Sequence, residues 1–309
     1  MSITYSLLGK IGENQMAKTQ PVIGNNSAPG FAANTEIMFS NHKGKYKKSI
    51  ERRQLKFAQS LPDLNRFLEQ DEKVQFIAQG CSPMGIFEQY ITGLIIIYIK
   101  RAVFVFTNKR IFHIPTTRSY KYRNSIAEIR YADCELIRLS WGGTLIVKYK
   151  NGKTEKFVYI SGGERKKIKN LLKGLTYDGL TSATQTRNHL CPRCTKMLEK
   201  GNYTCPNCRL PFKSRDEGRK ISIIYPGGGY FYTGHPFMGL ADALVEVLLI
   251  LLFAGALADM AYGVEGAIID VIVIGVFLTF EKLVSIYHSN HFLEEYIPKD
   301  KEIRSLDEV

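Results

Sequence analysis

Two matched cysteine pairs lie in the second half of the chain: Cys191-Pro-Arg-Cys194 and, ten residues later, Cys205-Pro-Asn-Cys208. Each Cys-x-x-Cys pair makes a tight turn that points two sulfurs at one spot, and two such turns close a tetrahedral thiolate site. The intervening residues 195–204 are long enough only for a small hairpin. The spacing therefore predicts a metal site formed by all four cysteines, with zinc as the leading ion and iron as the minority case.

The alternatives for these cysteines are two redox motifs or two disulfides. A single redox motif does not need a matched second copy, so the doubled pair favours metal. Four thiolates leave no open position, which predicts a structural zinc and not a catalytic one. We interpret residues 189–212 as a four-cysteine zinc ribbon, with Tyr203 and Phe212 covering the apolar side of the metal.

Length and composition limit the number of structural units, the role of the other cysteines and the kind of partner. The 309 residues allow two or three units, and six cysteines are too few for a disulfide scaffold. Cys81 and Cys134 lie in apolar stretches, which predicts buried free thiols. A formal net charge of +13 predicts an acidic partner surface, either anionic lipid head groups or nucleic acid.

The chain begins with a polar stretch and a basic one. Residues 1–42 are rich in Asn, Gly, Ser, Thr and Ala and show no hydrophobic period, which predicts disorder and no secretory signal. Residues 43–70 carry clustered Lys and Arg interleaved with apolar residues, which predicts a basic helix. This helix either rests on an anionic membrane or packs as a solvated helix on the next domain.

Residues 71–176 are predicted to form short strands. The strongest hairpin signal is Asn151-Gly152, which separates strands at residues 145–149 and 155–160. A second hairpin is predicted over residues 101–115, and a first strand over residues 74–77. Further strands are predicted at 126–129 and 135–139.

A helix is predicted directly behind the last strand. Ser161 and Glu164 form an S-x-x-E pattern, which predicts a capping box at its start. Apolar residues follow at i, i+3, i+4 and i+7 and predict a core-facing stripe; they are Ile168, Leu171, Leu172 and Leu175.

The strand order, the closing helix and the run Phe104-Val105-Phe106-Thr107-Asn108-Lys109-Arg110-Ile111 together resemble a bacterial PH-like domain related to the GRAM type. The resemblance covers about residues 74–175 and implies a platform that docks lipid head groups or protein segments. Basic residues near the hairpin have no acid among them in the sequence, which suits phosphate binding, while a solvated basic face explains any single one. The candidate anion-binding residues are Lys100, Arg101, Lys109, Arg110, Arg118, Lys121 and Arg123.

One apolar stretch, residues 85–100, departs from that resemblance. Its apolar run is too short to span a bilayer. It is either a buried strand or an apolar helix touching the membrane, and we favour the core.

A polar linker, residues 177–188, leads into the ribbon, and residues 213–297 read as a membrane hairpin. Two apolar stretches, 240–260 and 266–280, each approach the roughly 20 residues of a spanning helix, and a buried pair in a soluble domain is the alternative. Before them, a P-G-x-G-x-x-Y-x-G pattern resembles the membrane module called transmembrane-two; its residues are Pro226, Gly227, Gly229, Tyr232 and Gly234.

Charge indicates the orientation of this hairpin. Lys and Arg flank it and none lies in the turn at 261–265, so the positive-inside rule places both ends, the ribbon and the N-terminal domain in the cytoplasm, with residues 298–309 as a tail. Four carboxylates are predicted near helix ends, where water reaches them, and an ion path is the alternative; they are Asp242, Glu246, Asp259 and Asp270.

The predicted fold class is α+β: a PH-like β-barrel or sandwich with a C-terminal helix, a small zinc ribbon, and an all-α membrane hairpin. No nucleophile and base pair or phosphate loop stands out, which predicts a non-enzyme. We expect a membrane-anchored adaptor or sensor that faces the cytoplasm and docks anionic lipid or a protein. The alternatives are a small ion or solute transporter and a membrane-tethered nucleic-acid-binding zinc-ribbon protein, for which the ribbon loop carries few basic residues.

Overall fold

The computed structural model describes residues 29–85 and 95–299 and, within them, leaves the side chain of Ile96 undescribed. The chain is a mixed α+β structure with two antiparallel sheets and several helices. The predictions for residues 1–28, for residues 86–94 of the apolar stretch and for residues 300–309 lie outside the described residues.

The strands of the described part form a five-stranded and a three-stranded sheet. The first has the order β1-β2-β3-β4-β8 and the second β5-β6-β7. In chain order they are β1 (Val74–Cys81), β2 (Arg101–Thr107), β3 (Arg110–Pro115), β4 (Ile126–Arg130), β5 (Cys134–Leu139), β6 (Leu145–Tyr149), β7 (Thr154–Phe157) and β8 (Asn188–Leu190).

The α-helices of the same residues are four short ones beside the sheets and four near the C-terminus. They are α1 (Thr35–Met38), α2 (Lys48–Gln59), α3 (Ile95–Ile99), α4 (Gly162–Lys173), α5 (Arg215–Ile224), α6 (Gly228–Tyr232), α7 (Pro236–Ala261) and α8 (Ala267–Leu293).

Both predicted hairpins are present. Gly152 has φ +84° and lets β6 turn tightly into β7. The last strand ends earlier than predicted, at Phe157, because Val158 leaves its sheet and pairs with Cys81 at the end of β1. This crossing joins the two sheets at one corner.

The two sheets enclose one apolar core, and α4 covers its open side. Phe104 and Phe106 of β2 meet Val147 and Phe157 of the second sheet there. The predicted stripe of α4 faces this core, with Ile168 and Leu172 buried and Leu171 and Leu175 packed against it.

A second core lies on the opposite face of the five-stranded sheet and includes the N-terminal segment. Met38 and Phe39 are 0% and 1% exposed, and Phe57 of α2 packs beside them. The predicted disordered region therefore extends too far, because residues 35–40 contribute apolar side chains to the fold. Met38 and Phe39 had no periodic pattern around them that would have indicated burial.

The predicted capping box is wrong. Ser161 precedes α4 but makes no side-chain capping bond. Glu164 instead turns into the protein, where it pairs with Arg53 at 3.4 Å and accepts the Gln79 N–H at 3.3 Å. Burial raises the pKa of Glu164 to about 7, although Arg53 opposes that shift. The tertiary ion pair with α2 replaces the local cap.

The F-T-N-K-R-I hairpin is held by the chain segment before β1. The Thr107 hydroxyl donates to Glu72 at 2.7 Å, and the Asn108 side chain accepts the Lys73 N–H at 2.8 Å. Arg110, 3% exposed, pairs with Glu72 at 2.7 Å and with Glu128. These motif residues therefore build the scaffold of the hairpin.

The two long helices α7 and α8 pack antiparallel through a turn at residues 262–266. Ser285 of α8 donates to Asp242 of α7 at 3.1 Å, and Lys282 pairs with Glu246. Of the described helices, α7 is the one whose length and composition suffice to cross a membrane.

The glycine-rich motif, residues 226–234, packs between α5 and α7, and we call it the wedge. Gly227 lies in the left-handed region, φ +65°, and a Cβ there would overlap the Gly239 carbonyl of α7. The Gly227 N–H donates to Glu246 at 2.7 Å, and Lys282 donates to the Ser222 carbonyl at 2.7 Å. The motif therefore serves close packing of α5 and α6 on the long pair.

Gly227→Ala should displace this wedge, because the new methyl group meets backbone and the φ angle disfavours any side chain. Gly263→Ala is the matched control, since Gly263 also has positive φ, +74°, and a Cβ added there meets no atom within 4 Å. We expect Gly227→Ala to lower the thermal midpoint of the full chain by about 5 °C or more beyond the control. Equal midpoints for the two variants would contradict the close approach of Gly227 and Gly239.

Candidate metal centre

The two Cys-x-x-Cys pairs fold into two equivalent turns. The Thr195 N–H donates to the Cys191 carbonyl at 2.8 Å, and the Arg209 N–H donates to the Cys205 carbonyl at 3.0 Å. Thr195 and Arg209 both adopt positive φ, +61° and +58°. The same chain reversal therefore occurs twice, and each reversal directs a pair of sulfurs to a common point.

The four sulfurs lie close enough to share one ion. The Cys191 and Cys208 sulfurs are 3.5 Å apart, those of Cys194 and Cys205 are 3.6 Å apart, and all four lie within 4.8 Å of one another. A tetrahedral ion with metal–sulfur bonds of about 2.3 Å separates its ligands by about 3.8 Å. The spacing fits a metal site, and the all-sulfur donor set suits a soft ion better than Mg²⁺ or Ca²⁺.

Backbone N–H groups point at the sulfurs. Those of Arg193 and Cys194 donate to the Cys191 sulfur, and that of Lys196 donates to the Cys194 sulfur. Burial raises the pKa of Cys194, but the Lys196 N–H and its neighbours outweigh burial and lower it to about 7. At Cys191, burial outweighs the N–H donors and raises the pKa of the thiol, so the donors favour thiolate, the form that binds metal, most clearly at Cys194.

Aromatic side chains cover the apolar side of the centre. Phe212 is 1% exposed and Tyr203 packs beside it, as predicted. The sequence analysis missed Tyr296, whose ring lies 5.8 Å from each of these rings and whose hydroxyl donates to the Glu199 carbonyl at 2.9 Å. Tyr296 follows α8 and is 84 or more residues from the other two, so no local pattern indicates the contact.

The four-cysteine segment, residues 189–212, contacts both halves of the chain. On one side β8 pairs with β4, with Leu190 opposite Ile126. On the other side the chain after α8 returns, and the Lys299 N–H donates to the Pro211 carbonyl at 3.0 Å. The predicted linker therefore ends in a sheet strand, and the metal centre lies at the junction between the sheets and the long helices.

A buried polar cluster lies next to this junction. Glu295, just after α8, pairs with Arg187 at 3.2 Å and lies 3.6 Å and 3.7 Å from His189 and His113. Arg187 also pairs with Glu155 of β7 at 3.2 Å. Although burial raises it, the Arg187 guanidinium and the hydrogen bond from His189 hold the pKa of Glu295 well below its usual range.

Ser82, His113 and Glu295 follow one another as in a hydrolytic triad. The Ser82 hydroxyl is 2.9 Å from His113 Nε2. Arg187 can only donate, and its Nη1 lies 3.0 Å from His113 Nδ1, so Nε2 carries the ring proton. A neutral histidine in this tautomer donates to Ser82 and does not accept its proton, and burial lowers the pKa of His113 to about 3. The adjoining cavity holds about 20 Å³, the space of about one water.

Four of the seven candidate anion-binding residues are paired with other groups of the protein, although Lys109 stays exposed. Lys100 is 5% exposed and donates to the Pro83 carbonyl at 3.2 Å. Lys109 and Arg110 pair with Glu69 and with the buried acids Glu72 and Glu128. Arg123 donates to the Thr233 carbonyl at 2.6 Å. The acids come from distant positions, so the sequence around the hairpin did not indicate these pairings.

The other three candidates lie together at the surface. Arg101 stacks between Tyr98 and Tyr120, with 4.9 Å and 4.8 Å between its guanidinium carbon and the two ring centres. Arg118 lies over Tyr98 at 5.4 Å, and both Arg118 and Lys121 are exposed. In the described part of the apolar stretch, Ile95–Ile99 forms helix α3 and not the buried strand that we favoured, and Ile95 and Tyr98 are 54% and 46% exposed.

A second group of metal-capable side chains lies between α7 and α8. Carboxylate oxygens of Asp242, Glu246 and Glu281 lie within 4.8 Å of one another. Glu246 is 1% exposed, which differs from the expected position near water, while Asp259 and Asp270 are exposed beside the turn as expected. Glu246 already binds Lys282 and the Gly227 N–H.

Comparisons with protein-family models, with curated proteins and with solved structures found no match to this chain. The resemblances stated from the sequence therefore remain predictions.

Cys191→Ser should remove the metal, because three thiolates and a hydroxyl bind a soft ion far more weakly than four thiolates. We expect the purified full chain to contain one zinc per chain and the variant to contain at most about a tenth of that, measured by elemental analysis. Cys134→Ser is the control, since Cys134 is a buried free thiol in the sheet core. Equal metal in Cys191→Ser and the parent would refute the site.

Proposed function

We propose that this protein is a membrane-anchored adaptor or sensor that faces the cytoplasm. In this proposal α7 and α8 form a membrane hairpin, the β-rich half docks anionic lipid or a protein partner, and a structural zinc ribbon joins the two. The observation that carries the proposal is the apolar surface that α7 exposes along its length.

The exposed surface of α7 is too apolar for a helix in water. Along its 26 residues, large apolar side chains turn outward without covering, for example Leu244 and Leu251 at 65% exposed each. Soluble proteins seldom expose contiguous apolar patches of this extent. At 1.5 Å per residue the helix is about 39 Å long, which exceeds the roughly 30 Å of the hydrocarbon core.

The neighbouring helices support immersion of the whole unit. On α8, Ile268, Ile272, Val276 and Phe280 are each more than half exposed. The tip of α5 also exposes apolar side chains, with Ile223, Ile224 and Tyr225 each above 60%. Lipid around the pair would cover all of these surfaces, and it accounts for two helices with apolar outer faces and a polar inner contact.

Charge distribution supports the orientation. Residues 236–280 contain no Lys or Arg, and the acids Asp259, Glu265 and Asp270 surround the turn. Basic residues lie on the side of the ribbon and the sheets. By the positive-inside rule, that side is the cytoplasm.

The β-rich half fits a docking platform better than an enzyme. Its two antiparallel sheets and closing helix α4 are compatible with the PH-like arrangement that the F-T-N-K-R-I hairpin suggested. Its triad-like serine is not activated, because Arg187 fixes the unproductive tautomer of His113. Four thiolates at tetrahedral spacing favour zinc in a structural role.

Glu246 supports an anchoring role over the transporter alternative. It is committed to Lys282 and to the backbone of the wedge, so its charge is balanced inside the fold. A carboxylate on an ion path needs to release its partner, and this one fixes three helices together.

The membrane anchor can be tested by introducing lysines in the middle of α7. We expect the parent chain to stay in the membrane pellet after alkaline carbonate extraction. Leu248→Lys with Leu251→Lys should release most of it, since each lysine near the bilayer centre costs about 2.5–3.5 kcal/mol. Leu136→Lys with Leu180→Lys is the control, because both leucines are exposed on the β-rich half. Release of the parent chain itself by carbonate would refute the anchor.

A further inference from the structure

An aromatic and basic surface lies beside the start of α7; we call it the rim patch and define it as Tyr98, Arg101, Arg118, Tyr120 and Lys121. Arg101 and Arg118 stack on the tyrosines, which fixes the planes of the guanidinium groups. The Arg101 Nη1 also donates to the Arg118 carbonyl at 2.6 Å, so the two segments that carry the patch are held together. These contacts hold the two arginine side chains of the patch in defined positions.

The rim patch is linked to the base of the long helices by direct contacts. A ring N–H of His235, the residue before α7, bonds to the Ile99 carbonyl at the end of α3. Arg123, next to the patch in sequence, donates to the Thr233 carbonyl at 2.6 Å and to His235 at 2.9 Å. Lys100 lies 5.5 Å over the Phe292 ring of α8. The patch is therefore fixed at the level where α7 begins.

The chemistry of the rim patch fits a lipid head-group region. Residues 95–101 and 116–123 contain five basic residues and no acid. The patch also lies next to an exposed apolar side chain, Ile95, and tyrosine prefers the membrane interface. Lys109 and Arg110 lie at the other end of β2 and β3. Their charges are neutralised by acidic partners, unlike those of the rim patch.

We infer that the rim patch binds the anionic phospholipid head groups of the same membrane that α7 enters. This inference rests on the proposed membrane anchor and narrows the docking site of the β-rich half to one edge. The guanidinium groups of Arg101 and Arg118, which stack on tyrosines, can pair with the phosphates of lipid head groups. Ile95 would then insert into the membrane interface. The sheets would then be held against the bilayer surface and not extend freely from it.

Single tryptophans can report on both contacts in the full chain. Trp141 is the only tryptophan of the chain and is 92% exposed in a turn, so Trp141→Phe gives a silent background. Tyr98→Trp then places a rim probe in the patch, and Phe237→Trp, at a site 86% exposed in the first turn of α7, gives an anchor probe. Each protein is reconstituted in vesicles of phosphatidylcholine with or without phosphatidylglycerol, with brominated lipid as quencher.

We expect quenching of both probes in vesicles that contain phosphatidylglycerol. Adding Arg118→Gln and Lys121→Gln should reduce quenching of the rim probe by about half or more, and high salt should do the same, because the contact is electrostatic. Lys153→Gln with Lys156→Gln, two exposed lysines on the β6–β7 hairpin, is the charge-matched control and should change nothing.

The outcomes separate the two claims. Quenching of the anchor probe without quenching of the rim probe would overturn the lipid contact of the rim patch and leave the anchor intact. Quenching of the rim probe that ignores phosphatidylglycerol, salt and the glutamine pair would also overturn it, since the contact would not involve anionic head groups. Quenching of neither probe would refute the anchor and the inference together.

Discussion

A buried carboxylate at the end of the second long helix organises this protein. Glu295 exposes only 13% of its side chain, and an ion in such a place is tolerated only with close partners. Its partners come from a distant part of the chain: Arg187 just before β8 and His189 within it. Satisfying this one charge therefore requires that the end of α8, the ribbon entry and the five-stranded sheet meet at one point.

The candidate metal centre lies next to this contact, because the residue after Glu295 packs against it. Tyr296 follows Glu295 and fills the apolar side of the ribbon, and the Lys299 N–H then bonds to the Pro211 carbonyl. A segment as short as residues 189–212 has little apolar core of its own. Its stability therefore depends both on a metal bound by the four thiolates and on the packing of the Tyr296 ring. The four-cysteine segment thus links the helical pair to the sheets, as the proposed adaptor role requires.

Local sequence patterns predicted individual turns, strands and helices. Contacts between residues far apart in sequence determined the side-chain partners, which local patterns could not predict. The cysteine spacing, Asn151-Gly152 and the stripe of α4 are short-range signals: they predicted the clustering of the four sulfurs, the β6–β7 hairpin and the core-facing side of α4. The capping box failed because Glu164 found Arg53 of α2, and the acids around Arg110 come from two other segments. Tyr296 could not be assigned to the ribbon, because the contact forms only after two long helices return the chain.

Hydrogen exchange of the full chain, before and after chelation of the metal, tests most directly whether the ribbon joins the two halves. The account predicts that removing the metal exposes three segments together: β8, residues 210–213 and residues 296–299. β8 pairs with β4, the Lys213 N–H donates to the Ile297 carbonyl and the Lys299 N–H donates to the Pro211 carbonyl, so loss of the four-cysteine segment should release all three as one unit. Faster exchange confined to residues 191–209, with residues 296–299 still protected, would contradict the account.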